Sequence, residues 1–463
     1  MQHNDHRPVP QEQRALQSAD LLYIWFGAAI AISEIWGGGL PSLAGVGLAA
    51  GIIAILIGRL VGNGLMGAMA AIGAQSGLPT MLLTRPAFGV RGGVLPAVFN
   101  VLQLLGWTGW MLFVGFLYMD RLAGFIGLPV AEQAPAMKYL WIMLLGGLCI
   151  VWAAGGQRFW QLAQRISAVL LFVLSIAMTA IVILNNSLPE ISFSGIGPLR
   201  MLAAADVVIA MSVSWLPLVA DYSRFAREPS GAARGTFWGY FIGGSWMYFV
   251  GLLVACSQGL SSFGEVTPDQ MVIQTMGQAG LGWAVMAIVL VLLSTVTTTF
   301  LDIYSCVVSA QSLLPRIPDR LGNILTGLAG IGLACFLDVF AFEPFLLAIG
   351  AVFLPIFAVV LSEHYLIQRG RLDPQQIDSQ AGSYWYMAGW NPAAVMAWLV
   401  GFLVYDRAGG WGSINYFLGL IGSSISAEPF ACGASLPCLA ASVATYLLLR
   451  RLLPDSRAET PAG

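Results

Sequence analysis

Ser33-Glu34-Ile35-Trp36-Gly37-Gly38-Gly39-Leu40-Pro41 lies inside the first long apolar stretch of the chain, and its reading decides the fold. Three glycines followed by a proline are expected to interrupt a helix, because proline removes a donor from the i to i−4 ladder and clashes with the preceding turn. A bilayer tolerates free backbone only where it lines a cavity or is buried in protein. A glutamate at the same depth is costly there and marks a functional position.

Composition sets the frame. Of 463 residues, 58% are hydrophobic and only 10% are charged, with a mean hydropathy of +0.78, far from the roughly 25% charged content of soluble domains. The reading is a polytopic membrane protein. A net charge of −2 without a concentrated basic face excludes nucleic acid as a partner. Residues 1–20 are polar and lack the apolar core and cleavage site of a signal peptide, so the N-terminus is expected to stay as a tail.

Stretches of the roughly twenty apolar residues needed to cross a bilayer occur near 21–46, 48–75, 94–119, 139–156, 163–184, 201–220, 236–258, 282–312, 323–341, 343–366, 389–405 and 436–453. Twelve spans result, and segment 411–430, rich in glycine and serine, reads as a re-entrant or surface-lying piece. With the N-terminus inside, sixteen of the twenty-one basic residues fall on the cytoplasmic side, four outside, and Arg59 within the second span, as the positive-inside rule asks. Both termini, 1–20 and 455–463, are therefore expected in the cytoplasm.

A second interruption is expected at Ser212-Val213-Ser214-Trp215-Leu216-Pro217 in span six. Paired broken spans point to inverted repeats around a midplane site. The expected repeats run over about 21–185 and 200–366, with extra helices over about 389–453, all in one domain over 21–454.

Several residues could carry chemistry. Glu34 reads either as a ligand for substrate or cation or as a buried acid tied to a partner such as Arg59. Ser294 and Thr295, in the hydroxyl-rich run Leu292 to Thr299, either bond back to carbonyls a turn earlier or offer oxygens to sodium. Trp107 and Trp110 either pack or stack on a planar ring. Asp302 is a second intramembrane acid, structural or a carrier of protons, and Asp221 and Arg224 close span six as a helix-end pair or a gate. Cys432 and Cys438 share a loop, so a disulfide there is conceivable, while the other cysteines read as packing residues. No catalytic grouping or phosphate-cradling loop stands out, which argues against an enzyme, an ATP-driven pump or a resident cofactor.

Thr84-Arg85-Pro86-Ala87-Phe88-Gly89-Val90-Arg91-Gly92, Gly106-Trp107-Thr108-Gly109, Asp221-Tyr222-Ser223-Arg224-Phe225 and Ser294-Thr295-Val296-Thr297-Thr298 together resemble the nucleobase:cation symporter-1 family of permeases over roughly residues 20 to 450. Trp25 to Ile35 looks most like the bacterial branch importing hydroxymethylpyrimidine, with cytosine permeases as nearer relatives of that branch. The resemblance implies a leucine-transporter-type all-α fold of twelve transmembrane helices: two inverted five-helix repeats plus two C-terminal helices, in a bacterial inner membrane. It further implies that Trp107 stacks on the substrate ring and that Ser294 and Thr295 hold sodium with carbonyls near Ala29 to Ser33, Ala31 and Ser33 among them.

Departures from the family pattern fall at Met111, Phe300 and Ser212, where hydantoin-type members carry glutamine, asparagine and a second tryptophan. The expectation is a symporter, driven by Na+ or H+, that imports a small aminopyrimidine, most specifically hydroxymethylpyrimidine, with Glu34, Ser212 and Ser214 reading the ring edge. A cytosine or purine/allantoin-type permease is the alternative.

Overall fold

The computed structural model describes residues 7–43, 45–154, 157–186, 197–259, 266–410, 412–419 and 422–453. Its helices, in chain order, are α1 (Ser18–Ala29), α2 (Ile32–Leu43), α3 (Leu48–Ser76), α4 (Arg85–Phe88), α5 (Val94–Phe125), α6 (Ala136–Ala154), α7 (Gln157–Asn185), α8 (Pro198–Ser214), α9 (Val219–Ser223), α10 (Pro229–Gln258), α11 (Pro268–Gly277), α12 (Leu281–Leu313), α13 (Asp319–Phe336), α14 (Phe342–Leu361), α15 (Pro392–Ala408), α16 (Gly412–Gly419) and α17 (Ser435–Leu452). Among the described residues eight helical spans are long and apolar enough to cross a membrane, and nine with the bent pair α1 and α2. Helices α13, α15 and α17, of 18, 17 and 18 residues, complete twelve crossings. Helix α16 has eight residues, about 12 Å at 1.5 Å per residue, and does not cross.

The first span breaks, but not at the glycines. Helix α1 ends at Ala29, α2 begins at Ile32, and their axes differ by 64°. Gly37, Gly38, Gly39 and Pro41 all remain helical, which corrects the expected position of the interruption. The glycines are spent on contact instead. A Cβ on Gly38 would lie 2.6 Å from Cα of Tyr248, and one on Gly251 would meet the carbonyl of Ile35, so α2 and α10 touch backbone to backbone. Small residues permit this approach in membranes, where dispersion packing drives association. Gly38→Ala is expected to destabilise the protein by about 1–3 kcal/mol through overpacking, read as a lower melting midpoint in detergent; an unchanged midpoint would contradict the contact.

Span six breaks where the sequence places it. Helix α8 stops at Ser214, a 3-10 turn covers Leu216–Leu218 around Pro217, and α9 resumes at Val219. The two broken spans sit in corresponding places of the two five-helix repeats, and α2 and α8 pack together.

Segments rich in arginine gather at one end of the bundle. Arg14 donates to the carbonyls of Val9 and Ala74, Leu16 pairs with Ala226, and Gln75 reaches Gly370. Arg85 pairs with Asp378 and Val90 bonds to Tyr384. Arg121 with Asp269 and Arg407 with the carbonyl of Glu428 belong to the other end. Around the waist, large apolar side chains such as Leu60, Leu102, Val169 and Val173 stay exposed, a cost in water that lipid removes. The six cysteines are unpaired; Cys438 is buried in α17 beside Ser442, so the conceivable link to Cys432 does not form.

Candidate functional site

At the α1/α2 break the chain leaves helical geometry for two residues. Ile30 adopts φ −83° and ψ 76°, Ala31 N–H donates to the Ala29 carbonyl at 3.0 Å, and Glu34 N–H restarts the ladder on the carbonyl of Ala31 at 3.2 Å. A small buried cavity opens here. Its walls are Ala28, Ser33 and Glu34 from the broken span, Trp107 and Met111 from α5, Met211 and Trp215 from span six, and Thr298 and Asp302 from α12. Spans one, three, six and eight thus converge on one point. Trp107 is held edge-on by Trp110, Phe342 and Phe345 with ring centroids 6.2, 6.0 and 5.4 Å away, which fixes its orientation and leaves part of its surface for the cavity.

Glu34 is 1% exposed and its two oxygens are both engaged. One accepts from the Arg59 guanidinium and the other from the Tyr240 hydroxyl. Arg59, fully buried in α3, also donates to the Ser212 hydroxyl and the Gly244 carbonyl, each at 3.2 Å. Its guanidinium lies 4.9 Å from the Tyr240 ring centre and 4.4 Å from that of Tyr248. Arginine keeps its charge in proteins, so the Glu34 carboxylate is its counter-charge in a medium that cannot solvate either. Gly244 leaves the room the guanidinium needs, because a Cβ there would strike it.

The remaining expected site residues are placed as follows. Ser212 faces Arg59, and donates to the carbonyl of Val208 at 3.3 Å. Ser214 donates to the Met211 carbonyl, and its own carbonyl accepts from Gln103 at 2.7 Å. Neither serine lines the cavity. Phe300 turns away from it and stacks near-parallel with Tyr304, 18° between planes. In α12, Thr297 and Thr299 bond back to carbonyls one turn earlier. Ser294 and Thr295 are buried, the Thr295 hydroxyl has no hydrogen-bond partner among the described residues, and α12 packs against α2. An orphan buried hydroxyl suits a hard cation that takes oxygen ligands.

Asp221 accepts from the backbone N–H of Thr80 at 2.9 Å, and the Thr80 hydroxyl accepts from Ala220. This ties the end of span six to the loop after α3. Arg224 is buried, its guanidinium 4.9 Å from the Phe225 ring centre.

Tyr240 and Tyr248 were not legible as site residues, yet Tyr240, Gly244 and Tyr248 recur every fourth residue and form one face of α10. That stripe was the available signal. Trp215 and Thr298 lay inside the stretches 212–217 and 292–299 that the sequence singled out, whereas Met211 carried no signal, being an ordinary residue for an apolar span.

A helix bundle in which two broken spans and two continuous ones wall a common cavity is the architecture of a secondary transporter. The family model described as permease for cytosine/purines, uracil, thiamine and allantoin matches residues 8–436, and the chain belongs to that family. The cytosine permease of Escherichia coli strain K12 is 28% identical over 79% of this chain and 81% of its own length. The purine-uracil permease NCS1 of Arabidopsis thaliana is 26% identical over 86% and 70%. Among solved structures, the inward-facing conformation of Mhp1 superposes with a TM-score of 0.76 at 17% identity, covering 97% of this chain and 94% of that one. The closed conformation of Mhp1, a nucleobase-cation-symport-1 family transporter with bromovinylhydantoin bound, gives 0.73 at 18% identity, covering 97% and 95%. These two likenesses establish the leucine-transporter-type fold.

Proposed function

We propose that the protein imports a small planar aminopyrimidine, hydroxymethylpyrimidine in the most specific reading, by symport with Na+ or H+ across a bacterial inner membrane, with both termini in the cytoplasm. The observation that carries the reading is the cavity itself, which sets an indole, Trp107, against two carboxylates, Glu34 and Asp302. An indole face suits any flat heterocycle, and carboxyl groups suit a ring edge that bears N–H donors. Trp107 stacks on the ring, and the acids face its edge.

Ser294, Thr295 and the carbonyls of the break, Ala31 and Ser33 among them, hold the cation. Cation and substrate each favour the occluded state only through their differential affinity for it. The alternation of access then follows from movement of the broken spans around a fixed site. A cytosine or purine/allantoin-type substrate is the second reading, favoured by the 28% identity to a cytosine permease.

The test is uptake of labelled hydroxymethylpyrimidine into proteoliposomes under imposed sodium or proton gradients, with cytosine, uracil, adenine and hydantoin as competitors. Gradient-stimulated uptake that resists the competitors is expected. Displacement by cytosine instead would move the substrate to the second reading. Thr295→Ala is expected to raise the sodium concentration for half-maximal uptake by about tenfold, the equivalent of roughly 1.4 kcal/mol. An unchanged sodium dependence would remove Thr295 from the cation site.

A further inference from the structure

Among the described residues six carboxylates are buried: Glu34, Asp206, Asp269, Asp302, Glu363 and Asp406. Five have donors supplied by the fold. Glu34 has Arg59 and Tyr240. Asp206 takes the backbone N–H groups of Ala434 and Ser435 at 2.6 and 2.9 Å, and Asp406 takes those of Ser413 and Ile414. Asp269 holds Arg121 at 2.8 Å, and Glu363 holds Tyr446 at 2.7 Å. Asp302 alone has no hydrogen bond or ion pair from a described residue, although it is 5% exposed and lines the midplane cavity.

Leaving a buried acceptor unpaired costs free energy that folding elsewhere in this chain avoids. A group kept in that condition at a cavity wall is matched to a donor that arrives from outside. Glu34 shares the cavity, but its best acceptor directions are already occupied by an arginine and a tyrosine.

We infer that Asp302, across the cavity from the Glu34–Arg59 pair, is the residue that recognises an exocyclic amino group beside a ring nitrogen on the transported heterocycle. A protonated carboxyl group meets such an edge with two parallel hydrogen bonds, its carbonyl oxygen accepting from the amino group and its O–H donating to the ring nitrogen. Thr298, one turn earlier on the same face of α12, flanks it. Trp107 supplies the platform that holds the ring in the cavity. The role makes Asp302 a specificity-determining residue, and it deepens the reading of the cavity as a site for nucleobase-like rings, on which it rests.

Binding to the purified full-length protein tests it, using 4-amino-5-hydroxymethyl-2-methylpyrimidine and cytosine, each beside the counterpart in which hydrogen replaces the amino group. The native protein is expected to prefer at least one amino compound over its counterpart by about five- to tenfold, the size of one net hydrogen bond. Asp302→Leu is expected to bring that ratio near one while still binding the counterpart, which also reports that it folds. Should Asp302→Leu lose all binding, Asp302→Ala, which removes both oxygens without adding bulk, is expected to bind the counterpart with a ratio near one. An unaltered preference in either variant overturns the role of Asp302 while leaving the transporter reading intact. A variant that keeps the preference but loses stimulation by a proton gradient does the same and moves Asp302 to coupling. A native protein that binds none of the four compounds overturns the nucleobase reading and this inference with it.

Discussion

Replacing Arg59 with methionine is expected to destabilise the bundle by about 3–5 kcal/mol, the cost of leaving an uncompensated buried charge. Arg59 is fully buried, and its removal would strand the Glu34 carboxylate with Tyr240 as its remaining donor. The same side chain bridges α2, α8 and α10 through Glu34, Ser212 and Gly244, so the loss reaches both repeats. The informative measurement is a double-mutant cycle with Glu34→Gln, following the melting midpoint in detergent. Glu34→Gln alone strands Arg59 and should also destabilise, whereas the double variant should recover part of the loss because no charge remains unpaired. Strictly additive effects would show that the two side chains do not act as a pair. Both single variants should transport poorly, since the network forms one wall of the cavity.

Trp107→Ala is expected to weaken ring binding by roughly 10- to 100-fold, the range that corresponds to the roughly 1–3 kcal/mol measured for stacking a base on an aromatic side chain. Trp107 also packs on Trp110, Phe342 and Phe345, so truncation opens space in the core and lowers stability as well. Trp107→Phe separates the two effects. It keeps a π face at the cavity and most of the packing, and should retain binding within several-fold. Equal loss in the alanine and phenylalanine variants, with normal folding in both, would mean that the indole does not serve as a stacking platform.

The outline of the molecule could be read from the chain because lipid imposes a hard rule. Every crossing must satisfy its own backbone, so each appears as a long apolar run. Span six shows how far such reading reaches: Pro217 forbids a continuous helix, and the helix stops at Ser214. Span one shows its limit. Glycines look like a break, yet Gly37 to Gly39 stay helical because α10 lies close enough to use their missing side chains. The break instead falls at Ile30 and Ala31, residues with no intrinsic tendency to end a helix. Tertiary packing overrode local propensity there.

The site divides in the same way. Glu34 and Asp302 stood out as acids in apolar runs, each open to a structural reading, and Trp107 read as packing or stacking until the family resemblance was added; the structure brings all three to one cavity. Nothing local distinguished Ser212 and Ser214, which lie within one turn of cavity residues yet face Arg59 and the helix's own backbone. A rotation of 100° per residue separates lining from packing, and only the neighbouring helix decides which face is which.

By itself the sequence determined a twelve-span membrane bundle and the interruption in span six, since hydropathy, length and proline act locally and need no partner. The tertiary structure decided where span one breaks, that Glu34 answers to Arg59 and Tyr240, and that Asp302 faces the cavity without a donor from the described residues. Those outcomes depend on which faces of distant helices meet, and a contact between residues 25 and 206 positions apart leaves no mark in either local stretch.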